Sequence, residues 1–80
     1  MDKHPEAEAE YRQALAAFQQ TLGTDHTDTL ITRYQIAQEL AAQDRHAEAE
    51  AEYRQALAAF QQTLGTDHTD TLITRYQIAQ

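Results

Sequence analysis

Apolar residues recur along this chain at three- and four-residue intervals. Ala49, Tyr53, Ala56, Leu57, Phe60 and Leu64 form one such stripe, the spacing of a helix that buries one face. Glu48, Glu50 and Glu52 crowd its start, where the helix dipole favours negative charge. Glu50 and Arg54 add an i,i+4 pair, worth a few tenths of a kcal/mol on an exposed helix. Gly65 follows the last apolar residue and Gly23 does the same upstream, a stop signal in both places. Between these stretches Leu30, Ile36, Ala37 and Leu40 continue an apolar face, with Ile31 and Tyr34 beside it. This second type of helix starts within residues 24–28, where Thr and Asp are good N-caps and Asp28 lies in the first turn. The pattern predicts helices over about 5–22, 27–43, 47–64 and 69–80, an all-α chain. The link at 44–46 is short enough to force its two helices antiparallel.

Self-comparison decides the organisation. Residues 6–38 recur without one change as 48–80, a displacement of 42. The likeness reaches back further, with Asp2-Lys3-His4-Pro5 answering Asp44-Arg45-His46-Ala47. Slightly less than two repeats therefore make up one domain over residues 1–80. Identity of this kind, surface included, fits either a very recent duplication or a chain built by design.

Composition narrows the function. Thirteen acidic residues against six basic ones leave a formal charge of -7, which argues against nucleic acid and anionic membranes as partners. No apolar run is long enough to span a bilayer and no secretory leader is evident, so a cytoplasmic protein is expected. The absence of cysteine removes disulfides and thiolate metal sites. At 80 residues a single core is small, so helix packing or association with another copy must supply stability.

With the repeat established, the chain resembles a tetratricopeptide repeat. That family reads W-x2-L-G-x2-Y on one helix and A-x3-F on the next. From Arg33, at the Trp position, Ile36 takes the Leu place, Ala37 the small one and Leu40 the Tyr place. Ala49 and Tyr53 supply A-x3-F, followed by Ala56-Leu57. Gln61 stands where proline would close a shorter repeat, and the segment Leu64-Gly65-Thr66-Asp67-His68-Thr69-Asp70-Thr71 follows. This is similar to the long-helix repeats of kinesin light chain and related bacterial proteins, with Thr27 and Thr69 replacing a proline and Asp44 replacing a turn glycine. The resemblance implies antiparallel helix pairs in a right-handed superhelix. Ile36, Ala37, Leu40, Ala49, Tyr53, Ala56, Leu57 and Phe60 are the expected packing residues. An armadillo or HEAT-type pair fits the alanine spacing less well, and a closed four-helix bundle stays open as an alternative.

No chemistry-bearing constellation stands out. His4, His26, His46 and His68 lie at helix starts and turns without metal-ligand spacing, so no metal or cofactor is expected, and Asp25, His26 and Asp28 read as helix-capping residues. Glu6, Glu8 and Glu10 point to different faces and make no acid–base pair. No catalytic residue is assigned and no enzyme activity is expected. The family's concave surface maps onto Ile31, Tyr34, Gln35 and Gln38, repeated as Ile73, Tyr76, Gln77 and Gln80. These could hold an extended protein or peptide partner, or could pack between repeats.

The helices at the two ends lack the neighbours their internal copies have, and no capping unit is present. A homo-oligomer is therefore expected, either head to tail or domain-swapped through a straightened 44–46 link. Two functions follow from these features. One is a helical scaffold for self-association and protein–protein interaction. The other is a monomeric module that binds a peptide on its concave face.

Overall fold

The computed structural model describes residues 3–79, so Asp2 and Gln80 lie outside the described residues. Its helices are α1 (His4–Thr21), α2 (Thr27–Ala42), α3 (His46–Leu64) and α4 (Thr69–Ala79). Pro5 opens α1, where its missing N–H costs nothing and its fixed φ is already helical. Gly23 and Gly65 follow the ends of α1 and α3 at φ 95° and 94°, a conformation that side chains with a Cβ avoid.

The cap of α2 is neither Thr nor Asp but His26, whose ring Nδ1 accepts the Asp28 backbone N–H at 3.1 Å. His68 caps α4 through Asp70 with the same 3.1 Å bond. The Thr29 hydroxyl donates to the Gly23 carbonyl at 2.8 Å, and Thr71 does so to Gly65 at 2.8 Å. Each long loop is thus closed at both ends by side chains, which satisfies groups the helix termini would leave unpaired.

Between α2 and α3 the chain reverses through Asp44 at φ 62°. The Asp44 N–H bonds back to the Ala41 carbonyl and the Arg45 N–H to the Leu40 carbonyl, both at 3.0 Å. This is the Schellman pattern that ends helices at a left-handed residue. The link is a tight hairpin here, and the straight-through helix that a swapped dimer requires is not formed.

Each helix packs on the next in the order α1, α2, α3, α4, and α1 does not close against α4. The body is a slab of 38 × 32 × 17 Å, an open stack and not a four-helix bundle. Ile36, Ala37 and Leu40 of α2 meet Ala49 and Tyr53 of α3, with Tyr11, Leu15 and Ile78 against their edges. A second cluster joins Leu30 to Ala56 and Phe60, flanked by Ala59 and Leu64. Ala37, Ala49 and Ala56 are buried where helices approach closely. Leu57 is only part-buried, whereas its copy Leu15 packs against the Ile36–Leu40 cluster.

The core also contains four threonines that the apolar stripe does not include. Thr29, Thr32, Thr71 and Thr74 are all buried. Thr32 and Thr74 donate to the Asp28 and Asp70 carbonyls one turn back, each at 2.9 Å. With every hydroxyl occupied, burial leaves no unsatisfied polar group among the described side chains.

Candidate functional site

Two surfaces merit description, a groove between α2 and α4 and the outer faces of the end helices. The groove encloses about 210 Å³. Ile31 and Tyr34 of α2 and Ile73 of α4 wall it, Phe60 of α3 lies against it, and Gln35 and Gln38 add amides. Asp70 contributes the one carboxylate of the lining. Ile31 and Ile73 keep 37 % and 44 % of their surface in solvent, so the groove offers apolar contact with hydrogen-bonding groups beside it.

Tyr34 and Tyr53 meet edge to face, with ring centroids 5.4 Å apart and planes at 64°. Burial pushes the Tyr53 hydroxyl up to about 12, with Tyr34 adding to the effect. Burial also raises Tyr34, and a hydrogen bond with the Gln77 side chain acts in the opposite sense. Both phenols are thus neutral packing groups at neutral pH. Glu8 is held below the usual carboxylate range, first by its hydrogen bond with Gln43 and then by Arg12.

Ile31, Tyr34, Gln35, Gln38 and Ile73 converge on the groove. Gln77 reaches Tyr34 and lines a different cavity of about 480 Å³ with Ala49, Tyr53 and Ile78. Tyr76 lines neither and is 64 % exposed on α4. The fourth residue of the second set, Gln80, lies outside the described residues.

The outer faces follow from the repeat. Leu30 is 1 % exposed against Ala56 and Phe60, whereas its copy Leu72 is 49 % exposed. On α1, Ala14 and Phe18 are part-buried and Leu22 is exposed, while their copies Ala56 and Phe60 are buried. The polar contacts follow the same division. Arg33 donates to Gln55 at 2.9 Å and approaches Glu52 at 3.5 Å, whereas its copy Arg75 and their copies Glu10 and Gln13 are exposed. Periodicity marks all these positions as apolar or polar but carries no information on which copy is covered.

Among the described residues no group of three or more His, Asp or Glu side chains is placed to hold a metal ion. No helix among them is long and apolar enough to cross a membrane. The features described are interaction surfaces, a groove and two helix faces. It defines a helical-repeat scaffold, in which shape and complementarity do the work.

A family model of the tetratricopeptide repeat matches residues 1–62 and again 39–80. The chain belongs to the tetratricopeptide-repeat family, whose members are typically non-catalytic scaffolds for protein–protein interaction. No curated protein and no solved structure matches it.

Proposed function

We propose that this chain is a self-stacking interaction scaffold in which α4 of one copy docks on α1 of the next. The observation that carries the reading is the contrast between Leu30 at 1 % exposure and Leu72 at 49 % in identical stretches of sequence. The interior α2–α3 pair shows what the α4 face fits, because α1 repeats the α3 sequence over residues 6–22. Docking of this kind joins unlike faces, so copies add head to tail until the assembly closes or continues as a filament. A non-catalytic role in the cytoplasm accords with an acidic chain free of cysteine.

Sedimentation velocity over a wide concentration range tests the reading. Average mass is expected to rise with concentration, and helicity by circular dichroism to rise with it. A mass that stays monomeric throughout overturns the stacking.

A second reading draws on the groove. Its apolar walls at Ile31 and Ile73 and its amides at Gln35 and Gln38 suit an extended segment of a protein partner. Under that reading the monomer is the active form, and Ile31→Asp weakens partner binding while leaving self-association unchanged.

A further inference from the structure

Repetition of an interface inside one chain supplies more than the existence of a complementary face. It also supplies the contacts that would set its register. At the α2–α3 boundary three interactions lie side by side: Leu30 on Ala56 and Phe60, the Tyr34–Tyr53 edge-to-face pair, and Arg33 between Gln55 and Glu52. Arg33 and Glu52 each keep only 21 % of their side-chain surface in solvent, so this charge lies partly within the boundary. A displacement of 42 residues carries the three α2 members onto Leu72, Tyr76 and Arg75 of α4. Moving back by the same displacement carries their α3 partners onto Ala14 and Phe18, Tyr11, and Gln13 and Glu10 of α1.

Apart from Gln13, whose counterpart Gln55 is exposed as well, these copied positions are the less covered ones. Leu72, Tyr76, Arg75, Glu10 and Gln13 are exposed, and Tyr11, Ala14 and Phe18 are only part-buried. Among the described residues neither Arg75 nor Glu10 is engaged in a hydrogen bond or ion pair within the chain. Both are therefore available to a second molecule without losing an internal contact.

We infer that the α4 face of one copy takes the α1 face of a second copy in a single register, with Arg75 seated between Glu10 and Gln13 and Tyr76 edge-on to Tyr11 of that second copy. This rests on the stacking reading and adds to it a specified register. The reason a register is needed lies in the sequence itself. Alanine recurs so often along α1, at residues 7, 9, 14, 16 and 17, that an apolar face alone could slip by a turn. A cation facing one carboxylate and one amide disfavours that slip, because a shift of three or four residues along α1 leaves it at most one of its two acceptors. The acidic balance of -7 sharpens the point, since copies repel at long range and an attractive pair must mark the correct approach.

The test uses the full chain and two charge reversals, Arg75→Glu and Glu10→Arg, with circular dichroism to verify that each variant stays helical. Each reversal alone is expected to weaken association about tenfold by sedimentation, since it places like charges together. The equimolar mixture of the two single variants recovers association, because the untouched Arg75 of one meets the untouched Glu10 of the other. The combined variant R75E/E10R recovers it as well, through the inverted pair.

Because the chain has no cysteine, a second readout is free of background. Ala14→Cys chains mixed with Leu72→Cys chains, which keep Arg75, Glu10 and Gln13 intact, are expected to give mainly the mixed disulfide over either self-pair. Association of the wild type together with unchanged association of both reversals overturns the register and leaves stacking intact. So does a mixture that yields self-pairs and mixed pairs at their statistical ratio. A wild type that stays monomeric overturns stacking, and the register falls with it.

Discussion

Leu30 and Leu72 stand at the same place in identical stretches of sequence, yet one is sealed under α3 and the other is half in water. The same division runs through the other helix type. Tyr53, Ala56 and Phe60 of α3 are buried, while Tyr11, Ala14 and Phe18 of α1 are only part-buried. Local sequence is constant across each comparison, so propensity, capping and side-chain chemistry cancel. What differs is the number of neighbours. Helices α2 and α3 each pack closely on two others, whereas α1 packs chiefly on α2 and α4 chiefly on α3. Stability in such a stack is a sum of nearest-neighbour terms, and the two copies display that sum with and without one of its terms.

The largest expected break in this comparison comes from one substitution made twice. Phe60→Ala empties a site with 1 % exposure and should cost about 3–5 kcal/mol, enough to abolish a cooperative transition in a chain this small. Phe18→Ala, at the part-buried copy, should cost under about 2 kcal/mol and retain the transition. Chemical denaturation of both variants measures the difference. Equal losses at the two sites would contradict a nearest-neighbour account.

The comparison also shows how much of the molecule is legible in its sequence. The helices are legible because their stripes are periodic and glycine follows the stripes of α1 and α3. The exposure of Leu72 is not, because burial belongs to a pair of faces and the pattern describes one face at a time. Thr29 and Thr32 escape an apolar stripe by being polar, although with Ile36 they share the i, i+3, i+7 spacing of one helix side. Their hydroxyls are buried at little cost because each bonds to a carbonyl of its own segment. His26 as a cap is legible from its place at the helix start beside Asp25 and Asp28. For the groove, Ile31, Tyr34, Gln35, Gln38 and Ile73 meet as their helix faces require. Tyr76, on the same helix as Ile73, does not join them and stays 64 % exposed.

An intermediate effect is expected at high pH, where the fully packed tyrosine reports on the covered copy. The Tyr53 hydroxyl is raised to about 12 from an ordinary value of 10. A raised acid binds its proton more tightly in the folded chain. Its contribution is therefore complete below pH ~10 and is lost as pH climbs from there toward 12. Thermal melts should hold steady up to pH ~9.5 and fall steeply above it, with Tyr53→Phe reducing the fall. A melting temperature as sensitive to alkali in Tyr53→Phe as in the wild type would remove Tyr53 from this role.

The smallest effect concerns the joint between the copies. Asp44 holds φ 62° at the α2–α3 turn, a conformation that glycine reaches without strain. Asp44→Gly should raise stability by about 0.5 kcal/mol and leave the mass distribution unchanged. Loss of stability in this variant would mean that the Asp44 side chain, not the turn geometry, holds the hairpin.

The central claim is that the α4 and α1 faces are two halves of an interface the interior already makes. Sedimentation velocity of the wild type beside Leu72→Glu tests it most directly. The account predicts a mass that rises with concentration in the wild type and stays monomeric in Leu72→Glu, with helicity retained in both. A wild type that remains monomeric, or a Leu72→Glu chain that associates equally well, would contradict it.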